Sequence, residues 1–339
     1  LIGCGTAGVQ RAQCIVDKLG NQAALVVACD INQDAARGAK ESLGIEEHCK
    51  DYQAVMDRKD VDAVMIAIPP GLHRDIAVAA AQSGKHVFCE KPMAVELSHA
   101  DEMIAACAQA NVLLMIGYQF RYSKNRTVLR KLLQKGTIGR PVMWREMLPL
   151  YPEAMSQQWL WNYPLGGGSL FEYSHSIDFA CYTFGQVDSV WAQLFSFRED
   201  NRSKACDSYC VNIKFESGDV YHISGFGMLP TEMDRSNSFG GSYRLYMDDI
   251  VGDRGAIYIG PDQDQKVSMT LSEHVGSERQ TITRPHWGLW FGGTDADDDP
   301  AFAMFSAFFD SIRTGQLETR NSGTEARRTL AVIQAAIES

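Results

Sequence analysis

The sequence has no apolar run of about 18 residues, so no segment of it is long enough to cross a membrane as a helix. It has no excess of positive charge: 32 Lys and Arg stand against 42 Asp and Glu, for a formal net charge of -10. A phosphate lattice demands clustered cations, and this balance excludes nucleic acid as a partner. It has no Cys-x-x-Cys pair. The nine cysteines are scattered (Cys4, Cys14, Cys29, Cys49, Cys89, Cys107, Cys181, Cys206, Cys210), an odd number without a framework. That pattern excludes a disulfide scaffold and fits a reducing cytoplasm. The cysteines read as small buried hydrophobes. A zinc site at Cys206, Cys210 and His222 is the alternative, but its spacing is wrong for a knuckle, and no metal is expected. Internal repeats and low-complexity segments are also lacking. There is no initial methionine: only Leu1 and Ile2 precede the first glycine, too few for a strand of typical length, so further residues are expected upstream.

What is present is an ordinary globular composition, 45% hydrophobic and 22% charged, over 339 residues, enough for two domains. The first 120 residues alternate strand-like and helix-like patterns. Apolar runs at Leu1–Gly5, 24–30, 61–70, 86–90 and 112–118 are separated by helical stretches at 7–19, 31–43, 73–83 and 98–110. Near-continuous apolar strands of this kind are covered on both faces, and the alternation predicts βαβ units in a doubly wound parallel sheet. After about residue 140 the pattern changes. A helix is expected near 168–184, then alternating strands at 188–197, 209–217, 219–227, 242–250 and 255–260, with the turn Glu216-Ser217-Gly218-Asp219 joining two of them. Helices return at about 300–314 and 323–338. The expected division is a dinucleotide-binding domain over 1–120, on which the C-terminal helices are candidates to pack back, and a second α/β domain, with a large open and mostly antiparallel sheet, over 121–339.

Gly3-Cys4-Gly5-Thr6-Ala7-Gly8 is a Gly-x-Gly-x-x-Gly turn at a strand–helix junction. Gly3 permits the tight turn, Gly5 lets backbone approach a pyrophosphate, and Gly8 lets the helix pack close to the strand. The helix start then presents N–H groups and positive dipole to the anion. Asp30 ends the next strand. A carboxylate there accepts hydrogen bonds from a ribose and repels a 2′-phosphate, and no Arg follows in Ile31-Asn32-Gln33, so NAD is favoured over NADP.

Two further stretches carry chemistry. Cys89-Glu90-Lys91-Pro92-Met93 ends the buried strand 86–90 with a charge pair before a proline, which restricts Lys91 to extended backbone. Ligands bind outside the carboxyl ends of parallel strands, which is where this pair falls. The stretch 163–185 sets a glycine run, Gly166 to Gly168, before a helix on which Glu172, His175 and Asp178 fall at i, i+3 and i+6. A histidine flanked by acids has its tautomer set and its basicity raised.

Together these motifs resemble the glucose–fructose oxidoreductase / inositol dehydrogenase / MocA family of NAD(P)-dependent oxidoreductases. The resemblance extends to Ile68–His73, Gly117–Tyr122, 138–142, 252–259 and the C-terminal helix. It implies a Rossmann domain followed by a domain whose open sheet serves as an oligomer interface, giving a homodimer or homotetramer, with the active site between the domains. It implies that Lys91 contacts substrate and nicotinamide and that His175 is the catalytic base. Many members carry Asp four residues before this histidine; Phe171 stands there, and Glu172 is the nearest acid, with Asp178 a supporting group. The turn at 68–73 lacks the Thr and Asn common in the family, while His73 matches a position beside the cofactor.

The expected cofactor contacts are Gly3, Gly5, Thr6, Ala7, Gly8, Asp30, Ile31, Ile68, Pro69, His73, Glu90, Lys91 and Gln119. The expected substrate contacts are Lys91, Tyr118, Trp161, His175 and Trp287. Trp159, Tyr163, Trp290 and Phe291 enrich the same stretches in aromatic faces, which suit the C–H faces of a sugar or cyclitol. Arg121 and Arg145 could bind a carboxylate, but lone arginines are more often surface or ion-pair residues, and an uncharged polyol is the expected substrate. The expected reaction is oxidation of a secondary alcohol. A glycosidase using transient oxidation by held NAD, a non-catalytic dinucleotide-binding regulator, and a reductase of a non-sugar substrate stay open as alternatives.

Overall fold

The structure is a computed structural model that describes residues 1–149, 157–197, 205–226, 247–261, 267–273, 280–283, 299–316 and 318–339. The chain divides into two compact units. One comprises Leu1–Tyr122 and Pro300–Ala331, the other Ser123–Asp299 and Val332–Ser339.

The first unit is built on short parallel strands: β1 (Val27–Cys29), β2 (Glu47–Cys49), β3 (Ala63–Ile66), β4 (His86–Cys89) and β5 (Leu114–Ile116). Ile2 bridges Cys29 on one side and Ile66 on the other. The order across the sheet is therefore β2-β1-Ile2-β3-β4-β5. This is the doubly wound arrangement, with its switch point between Ile2 and β3. Helices α1 (Thr6–Leu19), α2 (Gln33–Leu43), α3 (Tyr52–Met56), α4 (His73–Gln82) and α5 (Leu97–Gln109) connect the strands. Local chemistry sets their ends. Asn32 caps α2 by accepting the N–H groups of Asp34 and Ala35, and Gly44 ends it at φ 67, a conformation glycine adopts without strain.

Strand β2 and helix α3 were not expected. β2 is Glu47-His48-Cys49, an exposed edge strand without an apolar run to announce it. The core of this unit includes Ile15, Leu19, Met65, Phe88 and Met115, together with Met304, Phe305 and Phe308 from the late helix Pro300–Thr314. Phe88 lies 4.6 Å from Phe305 and 5.7 Å from Phe308, centroid to centroid. Burying each phenyl ring is worth roughly 1.5–3 kcal/mol. A helix some 200 positions downstream thus completes the hydrophobic layer over a sheet built by the first 116 residues.

The second unit carries an eight-stranded sheet. Its strands are β6 (Pro141–Pro149), β7 (Val187–Phe195), β8 (Ser208–Phe215), β9 (Val220–Phe226), β10 (Met247–Gly252), β11 (Gly255–Pro261), β12 (Val267–Glu273) and β13 (Gln280–Thr283), ordered β13-β12-β11-β10-β6-β9-β8-β7. Every pairing is antiparallel except β6 with β9. The β8–β9 hairpin turns at Gly218, φ 90, as its sequence predicts. In β10 the described strand begins at Met247; 242–246 lie outside the described residues.

Strand β6 also escaped expectation, because a charge interrupts its apolar alternation. Trp144 and Glu146 are both buried on the same face. The Glu146 carboxylate accepts from the Tyr221 hydroxyl at 2.5 Å and the Ser176 hydroxyl at 3.1 Å, and lies 3.5 Å from the Arg126 guanidinium. Burial, then the adjacent Glu146, push the Tyr221 phenol well above its ordinary value. Beside them, Trp144 donates its indole N–H to Asp248 at 2.6 Å and meets Phe179, Phe184 and Tyr221 edge-on. The opposite face of the sheet is exposed. Register aligns Trp191, Asn212, His222, Arg145, Asp249 and Tyr258 across six strands of that face, with Trp191 57% and Tyr258 43% exposed.

Candidate active site

Three glycines shape the first turn, each differently. Gly3 has φ +94, and a Cβ there would lie 2.2 Å from the Ala67 carbonyl oxygen. A Cβ on Gly8 would lie 2.1 Å from the Gly3 carbonyl oxygen, so α1 packs directly on the turn. A Cβ on Gly5 would meet nothing within 4 Å. Gly5 is instead the N-cap of α1, makes no side-chain cap bond, and is exposed together with Thr6 and Ala7. Bare backbone at the positive end of a helix is what an anionic diphosphate requires.

Asp30 follows β1 directly. Its Oδ2 accepts the Cys4 N–H at 2.7 Å and its Oδ1 accepts the Asn32 N–H at 2.8 Å. Each carboxylate oxygen retains acceptor capacity for a diol. Ile31, the next residue, is 82% exposed, an apolar side chain standing beside the acid. Burial, and then the Asp30 charge, push the Cys4 thiol up to about 11, so it stays protonated at neutral pH. Bare helix start, half-buried carboxylate and exposed isoleucine fit the phosphate, ribose and base portions of a dinucleotide.

At the carboxyl end of β4 the Glu90 carboxylate is buried. Its Oε1 accepts the Arg11 Nε–H at 2.6 Å, and its Oε2 accepts the Lys91 backbone N–H at 3.3 Å. Lys91 is half-buried and joined to Pro92 by a cis peptide bond. Gln119 and Tyr118, after β5, are buried. The Gln119 Oε1 accepts the Arg11 Nη1–H at 2.7 Å.

His73 lies inside the fold, fully buried. Its Nδ1 is 3.2 Å from the Met93 carbonyl and its Nε2 is 2.8 Å from the Ile68 carbonyl, so the ring ties the turn carrying Ile68 and Pro69 to the residue beyond Pro92. Burial lowers its pKa, against the opposing pull of these carbonyls and of Glu90.

In the second unit the expected single helix over 168–184 is two pieces. Ser169–Glu172 forms one turn, Tyr173 interrupts at ψ 15, and the helix resumes over Ser174–Phe184. The first turn is pinned to the chain entering β8: the Ser169 N–H and hydroxyl both bond the Cys206 carbonyl, at 2.9 and 2.8 Å. The tighter bond from the Ser176 N–H to the Tyr173 carbonyl begins the new helix. Glu172 therefore does not share a continuous helix with His175, and the expected i, i+3 spacing does not hold between them. His175 and Asp178 remain together on the second piece, 2% and 0% exposed, while Glu172 is partly exposed.

Trp161 ends the turn Gln158–Trp161 and is 7% exposed. Trp287, Trp290 and Phe291 lie outside the described residues. Arg121 is buried and pairs with Glu325 at 3.6 Å, and Arg145 pairs with Asp249 at 2.6 Å. Cys206 is buried against Ser169, and among the described residues no group of three or more His, Cys, Asp or Glu could hold a metal ion.

Residues 1–118 match the model of the oxidoreductase family described as having an NAD-binding Rossmann fold, and residues 127–257 match the GFO/IDH/MocA C-terminal domain. The chain belongs to the GFO/IDH/MocA oxidoreductase family. Among curated relatives within reach, myo-inositol 2-dehydrogenase of Thermotoga maritima is 29% identical over 274 residues, 76% of this chain and 80% of that one. Levoglucosan dehydrogenase of Pseudarthrobacter phenanthrenivorans is 31% identical over 173 residues, 50% of this chain and 44% of that one. Solved structures of the same fold include a levoglucosan dehydrogenase with NADH and levoglucosan (TM-score 0.81, 21% identity, covering 100% of this chain and 95% of that one). An Agrobacterium radiobacter oxidoreductase with NAD+, L-tartaric acid and magnesium gives a TM-score of 0.80 at 21% identity, covering 100% and 94%. The family assignment and the α/β architecture agree with the sequence-based expectation, and they make the chain a dehydrogenase-type oxidoreductase of an NAD-binding family.

Three residues near these elements were not singled out from the sequence: Arg11, Asn321 and Glu146. Asn321 is fully buried and donates its amide to the carbonyls of Ile116 and Tyr118, holding the end of β5. Arg11 had a legible signal, a guanidinium inside the apolar stripe Gly8, Ala12, Ile15 and Leu19 of α1.

Proposed function

We propose that this protein oxidises a secondary alcohol of a sugar, sugar derivative or cyclitol, with NAD as the hydride acceptor. The observation that carries this reading is the pairing of an uncapped, exposed helix start at Gly5–Ala7 with the Asp30 carboxylate bonded to the same turn. Gly3, Gly5, Thr6, Ala7 and Gly8 receive the pyrophosphate. Asp30 and Ile31 receive the adenosine, with NAD preferred over NADP because Asp30 opposes a 2′-phosphate. Ile68, Pro69, Glu90 and Gln119 border the nicotinamide end, with His73 fixing that turn from below. When bound, the nicotinamide supplies the site that takes the hydride.

His175 takes the hydroxyl proton, and Lys91 hydrogen-bonds the same oxygen and stabilises the negative charge developing on it. Asp178, on the same helix as His175, supports it; Glu172 is a weaker candidate after the break at Tyr173. Tyr118, Trp161 and Trp287 contribute apolar and hydroxyl contacts to an uncharged polyol. Arg121 and Arg145 are engaged with acids of their own, which favours an uncharged substrate over a carboxylate.

The protein acts in the cytoplasm as a homodimer or homotetramer joined through the exposed face of its eight-stranded sheet. The support for the interface is the exposed Trp191 and Tyr258 flanking the Arg145–Asp249 pair in one row. Light scattering on Trp191→Lys reads this directly: a reduced mass is expected, and an unchanged oligomer removes that face from the assembly. The reaction itself is tested by screening purified protein and NAD against sugars, inositols and glyconic acids at 340 nm. A rise in absorbance with at least one polyol is expected; none across the panel, with NADH nevertheless bound, would sink the dehydrogenase reading.

A further inference from the structure

Arg11 stands in the second turn of α1, on the face that packs inward with Gly8, Ala12, Ile15 and Leu19, and is 5% exposed. A cation on the helix that follows a glycine turn would ordinarily be read as a phosphate ligand. Two of its bonds run elsewhere. Nε–H donates to Glu90 at 2.6 Å and Nη1–H to Gln119 at 2.7 Å, spanning 79 and 108 positions of sequence. One guanidinium thereby ties the phosphate helix to the carboxyl ends of two neighbouring strands, β4 and β5.

Both partners are held in a single orientation. The Glu90 carboxylate has Arg11 on one oxygen and the Lys91 backbone N–H on the other. Its third side is closed by Gly117, where a Cβ would come within 3.0 Å of Oε2. A guanidinium only donates, so the oxygen of the Gln119 amide must face Arg11 and its NH2 must point to the opposite side. Burying a cation is unfavourable unless it is paired and hydrogen-bonded, and here the pairing also dictates the rotamers of two side chains.

We propose that Arg11 is a positioning residue for the nicotinamide end of the cofactor, acting through Glu90 and Gln119 and not as a pyrophosphate ligand. It neutralises Glu90 next to Lys91, and it fixes the Gln119 amide with its oxygen toward Arg11. This rests on the dinucleotide reading above, and the test keeps the two separable.

Wild-type protein, Arg11→Met and Arg11→Lys are titrated with NADH and with ADP-ribose, which has the adenosine and pyrophosphate but no nicotinamide. For Arg11→Met, NADH affinity is expected to fall by about tenfold or more and kcat by about 100-fold, because a loosened supporting shell misplaces the reacting groups. ADP-ribose affinity is expected to stay within about twofold, since the glycine turn is untouched. Arg11→Lys, which keeps the charge and loses the fork, falls between. The double variant Arg11→Met/Glu90→Gln removes both buried charges, restoring the melting temperature while NADH binding stays weak.

Equal losses for NADH and ADP-ribose would make Arg11 a phosphate ligand and overturn the proposal. So would wild-type NADH affinity in the stable double variant. Wild-type protein binding neither ligand overturns the dinucleotide reading itself, and the Arg11 proposal falls with it.

Discussion

The Asp30 carboxylate accepts the backbone N–H of Cys4 at 2.7 Å, so the acid at the end of β1 is bonded to the very turn that would cradle a pyrophosphate. The carboxylate cannot swing away from a ribose without breaking that bond. A 2′-phosphate would meet a fixed negative charge. We expect kcat/KM for NAD to exceed that for NADP by about 100-fold or more, and Asp30→Ser to narrow the gap while lowering the NAD value about tenfold. Equal constants for both cofactors in the wild type would remove Asp30 from this role.

Gly3 and Gly5 answer the same substitution differently. Gly3→Ala places a side chain in the left-handed region and against the Ala67 carbonyl, so a loss of more than about 2 kcal/mol of stability is expected. Gly5→Ala enters open space, so stability should hold within about 0.5 kcal/mol while NADH affinity falls by about tenfold. Thermal unfolding and NADH fluorescence titration separate the two, and unaltered NADH binding in Gly5→Ala would argue against the phosphate cradle.

Lys91→Ala and His175→Ala are each expected to lower kcat by about 1,000-fold or more, with circular dichroism unchanged. A rate near that of the wild type in either variant would refute the role given to that residue.

The Glu146 cluster beneath the second helix piece predicts stability, not activity. Glu146→Ala removes the carboxylate from the buried Arg126 and should cost about 3–5 kcal/mol, whereas Tyr221→Phe removes one hydrogen bond and should cost about 1–2 kcal/mol. Urea denaturation measures both. Equal small effects would mean that the cluster is not a connected network.

Acid should weaken the fold before the lowered surface carboxylates titrate. Burial lowers the pKa of His73, His86 and His222. The unfolded chain protonates these rings near pH 6.5 and the folded one only below that, so U binds more protons in between. Stability is then full above about pH 6.5 and declines as pH falls toward 5, whereas the lowered carboxylates Glu47, Asp60, Asp101 and Asp188 act only below about pH 4.5. Urea midpoints at about pH 7.5, 6 and 5 test the slope, and His73→Gln should flatten it; a level profile in the wild type would contradict it.

Much of this was legible along the chain, because it is written in local periodicity. The apolar runs ending in Asp30 and Cys89 mark parallel strands, the glycine spacing marks the turn at residues 3–8, and the late helices begin and end where their patterns do. Two of the departures lie where the pattern meets interactions with distant residues, whereas β2 escaped because it has no apolar run. Strand β6 carries Glu146 on its buried face because Arg126, Ser176 and Tyr221 await it there. The helix over 168–184 breaks at Tyr173, and its first turn is tied through Ser169 to Cys206, 37 positions away.

The sequence by itself determined the family, the two-part α/β architecture, and the short motifs at Gly3–Gly8, Asp30 and Glu90–Lys91, since each depends on residues a few positions apart and on backbone rules they all obey. Only the tertiary structure decided which buried charges answer one another. Arg11 with Glu90 and Gln119, and Glu146 with Arg126 and Tyr221, are pairings across 20 residues or more. Their partners are chosen by desolvation, which makes an unpaired buried charge intolerable, and no linear pattern records which partner the fold will bring.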